Sequence, residues 1–381
     1  MQYTSLLTSE WGAFVALLSR IIDLDKTAFT FKALVRRRGV KSAESLLRLG
    51  LGYGPGGMSL REASAWAGIS DIAQLKNTSL LDRLRNASNW FAEIVRLLLS
   101  ARVGLPLKTY LGRTIRLVDG TTLSEPGSKG TDWRLYATYD LASSTFTHIA
   151  VTDKHTAESL THGPVQPGEI HIADRGYAKA EDLAAIVKQG ADFIVRIGWR
   201  SLRLLTQEDK PFELFKQLHN IPRDGVVDLQ VKIVQPKKEG PLPVRLIILA
   251  KPAESAEKER VRVQRNGSKR QHKPDTRSLI AAGYVMIVTS LAADIFPAQD
   301  VAALYRFRWQ IELAFKRLKS LLHIDRLRAF DPDLAKTWIY THLIAALVID
   351  SMTQEILESS PCGPWIDELH VLHLAHLRTP L

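Results

Sequence analysis

With 381 residues, 45% of them apolar and 24% charged, the chain can bury a full core and reads as two or three globular domains. Lysine and arginine exceed aspartate and glutamate by 51 to 40, a formal net charge of +11 that favours a polyanionic partner, either nucleic acid or an acidic membrane surface. The single cysteine, Cys362, excludes an internal disulfide framework and any cysteine-rich zinc module.

The first 105 residues read as mostly helical. Trp11 to Ile22 is apolar but carries Ser19 and Arg20 and lacks a basic lead-in, so no secretory leader is expected and a reducing cytoplasm is the simplest compartment. Ser59-Leu60-Arg61-Glu62 is a capping-box pattern, opening a helix that Gly68 would end. Ser79-Leu80-Leu81-Asp82 starts a second helix, running through Trp90 and Phe91 to Leu99. With Arg83 and Arg85 on the second helix, the pair fits a helix-turn-helix that reads DNA and equally a bundle that only packs. Basic Arg36-Arg37-Arg38 leans toward DNA.

The pattern changes near Pro106. Arg113 to Val118 alternates and then turns apolar, a strand ending in Asp119-Gly120. Trp133 to Tyr139 and Phe146 to Thr152 make a hairpin, and Glu169 to Ala173 is a strand ending in Asp174-Arg175-Gly176-Tyr177. A helix over about Lys179 to Gln189, closed by Gly190, leads to a strand at Phe193 to Ile197. Three strands in series followed by strand-helix-strand is the order of a ribonuclease H-like core. Both aspartates are expected where a strand gives way to a loop, the usual place for functional groups in an α/β sheet.

From Arg200 to Ala282 the chain reads as a β-rich insertion, with β-branched runs at Val226 to Val234 and Val244 to Ala250. Its basic segment, Lys258 to Arg277, holds eight Lys or Arg against two acids and is expected to be a loop that contacts a phosphate backbone. Ala282 to Ser290 returns to the main sheet. Pro297 opens a helix through Leu321, and Leu334 to about Leu357 is a long apolar helix whose core stretch, Leu343 to Ile349, is too short to span a bilayer. The resulting divisions are a helical DNA-binding region at 1–105, core at 106–199, insertion at 200–282, core at 283–350 and a C-terminal segment at 351–381.

On the helix opened at Pro297, Tyr305, Arg308, Glu312 and Lys319 fall within an arc of roughly 60° at helical periodicity. Phe307, Ile311, Ala314, Leu318 and Leu321 gather on a separate, apolar arc suited to a core. Trp309 stands beside the polar arc with Lys316 nearby, an arrangement suited to phosphates with a base stacked alongside. A fold that gathers Asp119, Asp174 and Glu312 would concentrate negative charge that needs a cation. Magnesium suits such a set, because it takes a few carboxylate oxygens together with water and phosphate oxygens. Two such ions about 4 Å apart support in-line phosphodiester cleavage and transfer.

The spacing Tyr305-x2-Arg308-x3-Glu312-x6-Lys319 resembles the signature of bacterial insertion-sequence transposases of the DDE type, the insertion-sequence-four family. Val118-Asp119-Gly120-Thr121-Thr122 and Ile172-Ala173-Asp174-Arg175-Gly176-Tyr177 resemble the stretches around that family's two aspartates, in the right order, and the 138-residue gap from Asp174 to Glu312 has room for its β-rich insertion. The resemblance covers roughly residues 59 to 345. It implies a cut-and-paste transposase that binds double-stranded DNA, both the terminal inverted repeats and the target. Asp119, Asp174 and Glu312 would be catalytic and hold Mg2+, with Mn2+ able to substitute. Tyr305, Arg308, Lys316 and Lys319 would contact DNA, and Trp309 would stack on a displaced base. A homodimer in the synaptic complex follows from the same resemblance; nucleoid association is expected, and no membrane contact is expected because no basic amphipathic helix stands apart from the core. One departure is that Leu202 to Ala282 contains no tryptophan, where some relatives use one while forming a hairpin at the cut end. The competing readings are a structure-selective nuclease on the same fold and a non-catalytic DNA-binding protein derived from a transposase.

Overall fold

Helix-start chemistry organises the N-terminal region. The helices are α1 (Trp11–Ser19), α2 (Leu24–Thr30), α3 (Ala43–Tyr53), α4 (Leu60–Ile69), α5 (Asn77–Asn86) and α6 (Ser88–Ser100). In this computed structural model, residues 10–101, 110–222, 225–236, 239–269, 271 and 273–359 are described, the side chains of the last helix to residue 353. Pro106, Cys362 and the segment beyond residue 359 lie outside them. The capping box is present: Glu62 N–H donates to the Ser59 hydroxyl at 3.2 Å, and Ser59 N–H donates to the Glu62 carboxylate at 2.7 Å. The next helix begins at Asn77 rather than Ser79, and Ala87 divides it into α5 and α6.

The two arginines of the expected recognition helix are used internally. Arg83 donates to the carbonyls of Arg36 and Arg38 at 2.7 and 3.1 Å, and Arg85 pairs with Asp331 at 2.6 Å. Helix α6 buries Trp90, Phe91, Ile94 and Leu98 in the same hydrophobic core as one face of the sheet.

The strands are β1 (Thr114–Leu123), β2 (Trp133–Asp140), β3 (Thr145–Asp153), β4 (Glu169–Ala173), β5 (Asp192–Ile197), β6 (Leu204–Leu205), β7 (Val226–Ile233), β8 (Leu242–Ala250) and β9 (Tyr284–Thr289). They form one sheet in the order β3-β2-β1-β4-β5-β9-β8-β7-β6. Strands β1, β2 and β3 pair antiparallel, while β4 and β5 run parallel to β1, with α7 (Ala180–Lys188) crossing between them. This is the ribonuclease H-like core. The β-rich insertion extends the same sheet, because β9 pairs antiparallel with both β5 and β8.

Four expectations need correction. Asp119 lies inside β1 rather than at its end: the parallel ladder with β4 stops at Val118, but the antiparallel ladder with β2 carries the strand on to Leu123. The basic segment forms α9 (Ala253–Lys269) and α10 (Thr276–Ala281), which follow α8 (Leu214–His219). Glu254–Lys258, Glu257–Arg260 and Glu259–Arg262 pairs at helical spacing offset much of its charge. The helix expected from Pro297 is two helices, α11 (Ala298–Arg306) and α12 (Trp309–Leu322). At the junction Phe307, Arg308 and Gln310 bond back to Leu304, Tyr305 and Phe307, a tighter i to i+3 pattern that resets the helical frame. Leu321 is 61% exposed, and Leu322 takes the buried place.

The long helix α13 (Pro332–Ser359) buries Trp338, Ile339, Leu343 and Leu347 between the N-terminal helices and the sheet. No described helix is long and apolar enough to cross a membrane. A second core covers the other sheet face, where Val118, Ala173, Val195 and Ile197 pack under α7, α8 and α10. Between the sheet's strands, buried Arg116 bonds Asp140 at 2.8 Å and Glu169 at 2.7 Å, tying β1 to both of its neighbours.

Candidate active site

Strand alternation decides where the aspartates point. Val118 pairs with Ala173 across the parallel β1–β4 ladder, and both belong to the core beneath α7. Asp119 and Asp174 are the next residues on adjacent strands, which run about 4.8 Å apart. Alternation aims Asp119 at the opposite face, where α12 buries Ile311, Phe315 and Leu318. Glu312 lies on that helix, one position beyond Ile311.

Arg308 joins the set. Its guanidinium bonds the Glu312 carboxylate and stands 3.5 Å from the Asp119 carboxylate, with only 18% of the arginine side chain exposed. Burial pushes the Asp119 carboxyl up to about 6; the Gly120 amide and Arg308 oppose the rise, while Glu312 and Asp174 add to it. These carboxylates therefore share one electrostatic site. Asp174 accepts from the Arg175 N–H at 2.6 Å and caps the short turn Arg175–Tyr177.

The glycines of both motifs have steric causes. A Cβ on Gly120 would lie 2.9 Å from Tyr136 Cδ1 and 3.3 Å from the Tyr177 hydroxyl, and one on Gly176 would collide with the Glu158 carboxylate. Tyr177 is itself buried, and its hydroxyl has no partner among the described residues. Burial, together with the charges of Asp119 and Glu158, pushes this phenol up, so it stays protonated at neutral pH.

A cleft of about 640 Å³ opens over Asp119 and Glu312 and is lined also by Thr121, Lys316, Lys319 and Arg326. Lys319 donates to the Thr122 carbonyl at 3.1 Å, placing its ammonium over the strand that carries Asp119. Trp309 is 48% exposed, with Arg308 beside it in sequence. Tyr305 is half-buried: burial pushes its phenol up, the Asp174 charge adds to this, and Arg308 opposes it. Thr121, named above only as part of the Asp119 stretch, also lines the cleft, as do His323, Asp325 and Arg326, which no sequence signal marks. His323 ends α12 in a left-handed conformation (φ 54) that turns the following residues back over the cleft, without the glycine that usually marks such a cap.

Among the described residues, no three His, Cys, Asp or Glu side chains are grouped so as to hold a metal ion. The donor set still fits a hard divalent cation. Asp119 and Glu312 already share a cation, the Arg308 guanidinium, and a partly buried carboxyl raised to about 6 gains from an added positive charge. Magnesium needs only a few protein oxygens, with water and substrate completing its shell.

Residues 110–348 match the family described as the transposase DDE domain. The chain is 42% identical over 355 residues to the putative transposase InsL for insertion sequence element IS186A of Escherichia coli (strain K12), covering 92% of this chain and 96% of that protein. The transposase for insertion sequence element IS421 of Escherichia coli is likewise 42% identical, over 356 residues, with the same coverage. A piggyBac transposase synaptic complex with hairpin DNA aligns with 94% of this chain and 82% of that one at 10% identity and a TM-score of 0.40. The match across the whole catalytic region, with relatives of nearly the same extent, identifies the chain as a member of the DDE transposase family, a bacterial insertion-sequence transposase.

Proposed function

We propose that the protein excises and inserts its own element by cutting at the terminal inverted repeats and joining the ends to target DNA, with Asp119, Asp174 and Glu312 as the catalytic carboxylates. The observation that carries this reading is the Asp119–Arg308–Glu312 contact beside Asp174, inside a cleft edged by Lys316 and Lys319. The family normally uses divalent metal ions. Here Mg2+ is proposed, with Mn2+ as a substitute, held by the three carboxylates. When bound, it would activate the attacking oxygen and stabilise the leaving one.

The remaining side chains orient the DNA. Arg308 and Lys319 would hold phosphate oxygens on either side of the cut, and Lys316 would hold the backbone farther along the cleft. Tyr305, kept protonated, can donate to a phosphate, and half-exposed Trp309 offers a stacking face to a displaced base. Residues 1–105 are proposed to read the ends, with exposed Arg36, Arg37 and Arg38 as their basic edge. A homodimer in the synaptic complex and a cytoplasmic, nucleoid-associated location complete the proposal.

The test is a supercoiled plasmid carrying the element between both its ends, incubated with the protein in Mg2+ or in EDTA. Release of the element as a discrete fragment in Mg2+ alone is expected. Metal-dependent cutting with no preference for the ends would instead favour a nuclease on this fold.

A further inference from the structure

A second cavity, of about 660 Å³, opens at the sheet edge beyond Asp174, between the end of β5 and helices α9 and α10. It belongs to neither the carboxylate cleft nor the Tyr-Arg-Glu-Lys motif. Besides Arg200, which pairs with Asp275, four cations line it: Arg175, Arg196, Lys251 and Lys273. None of them has an acidic partner among the described residues. The cavity's two acids are held by other groups, Asp275 by Arg200 and Arg277 at 2.8 and 2.9 Å, and Glu259 by Arg262 at 3.4 Å.

The crowding bears on Lys251. Burial, then the charges of Arg196 and Arg175, hold the Lys251 ammonium below its ordinary value even though Glu259 opposes them. Its one hydrogen bond among the described residues, to the Ala282 carbonyl at 2.9 Å, leaves further donors free. The buried Nε of Arg196 has no hydrogen-bond partner among the described residues. Gathering like charges in a partly dehydrated cavity is costly unless an anion completes it.

Its location selects the anion. Strands β4 and β5 are parallel, so Asp174 and Gly198 follow them at the same sheet edge. Arg175, next to Asp174, packs its side chain over Gly198, where a Cβ would come 3.1 Å from Arg175 Cδ. Arg196 is also close enough to Tyr305 for its charge to lower that phenol. Met286, Ile197 and the Trp199 ring also line it, with the Arg200 and Arg277 guanidinia over that ring at 4.1 and 4.6 Å.

We infer that this cavity is a second phosphate-binding site, in which Arg175, Arg196, Lys251 and Lys273 grip the backbone of the DNA strand where it passes the Asp174 side of the active site. It rests on the DNA-cutting reading above and extends the DNA track across the sheet edge to the insertion.

Phosphate contacts are independent of sequence, so a random duplex serves as the probe. Full-length protein is titrated with it across a salt series, as wild type, as Lys273→Gln and as the double variant Arg196→Gln/Lys251→Gln. Lys273 is exposed, so its variant does not threaten the fold. Each lost contact should lower the slope of log binding constant against log salt by about 0.7–0.9, so about twice that is expected for the double variant, with an unchanged melting temperature for Lys273→Gln. Pyrophosphate, titrated against each protein in parallel, tests for a site that takes only free anions. Slopes equal to wild type in all variants would overturn the inference, and so would pyrophosphate binding that the variants abolish while DNA slopes stay unchanged. Excision by wild type, assayed on the same preparation, separates failure of this site from failure of the proposed reaction.

Discussion

Replacing Arg116 by methionine tests how the two aspartate-bearing strands are held together. The Arg116 side chain is 8% exposed, and its partners Asp140 and Glu169 are 0% and 6% exposed. Removing one member of a buried ion network typically costs about 3–5 kcal/mol, because charges are left uncompensated. Here both carboxylates keep other donors. Asp140 still accepts from the Ser143 N–H and hydroxyl at 2.6 and 2.7 Å, and Glu169 from the Gln166 N–H and the His171 ring, both at 2.9 Å. The loss should therefore lie at the low end, about 3 kcal/mol. A chain of this length has an unfolding entropy of about 0.8 kcal/mol/K, so the melting temperature should fall by about 4 °C. Arg116→Lys, which keeps the charge but not the fork that spans both carboxylates, should lose less. Adding Glu169→Gln to Arg116→Met should recover part of the loss by removing a stranded charge. The assay is thermal and urea melting by circular dichroism at neutral pH. A melting temperature for Arg116→Met within about 1 °C of wild type, or strictly additive losses in the double variant, would show that Arg116 does not tie the strands together.

Two further outcomes follow from the site and the core. Lys319→Ala and Arg308→Ala should each reduce the salt slope of binding to the element's ends by about 0.9, and unchanged slopes would show that neither side chain contacts a DNA phosphate. His342 is fully buried, donates Nδ1–H to the Trp338 carbonyl at 2.6 Å and is pushed down to about 4 by burial. Its unfolded value is about 6.5, so the folded state binds fewer protons: stability is full above that pH and falls as pH drops toward 4. Wild type should lose about 2 kcal/mol from this group between pH 7 and pH 5, measured by urea midpoints, and His342→Gln should lose that part of the dependence. An equal acid loss in the variant would show that another group titrates.

Local chemistry made much of this fold readable. The Ser59–Glu62 capping box starts α4 where it was expected, and the β-branched stretch ending at Ala173 becomes β4 with Asp174 immediately after it. Features that depend on distant partners were not readable. Asp119 sits within a strand because β2, not its own neighbours in sequence, extends the ladder to Leu123. The turn at Phe307-Arg308 has no glycine or proline to announce it, yet it brings Arg308 back between Asp119 and Glu312. The charge excess of the basic segment suggests a loop, but Glu254 and Glu257, just upstream of it and at helical spacing from Lys258 and Arg260, support a helix instead. The cation-lined cavity needs β5, β8, α9 and the Asp174 turn to meet, which no single stretch encodes.

Glu312→Gln separates DNA binding from the cutting step. The side chain is 52% exposed and lines the cleft, so the change keeps its volume and removes one negative oxygen donor without disturbing the core. Binding and nicking are measured together on a labelled duplex of the element's end, with random DNA as competitor. The variant should shift the end as wild type does and produce no magnesium-dependent nick. Nicking at the wild-type rate would contradict the account, because Glu312 would then have no part in the chemistry.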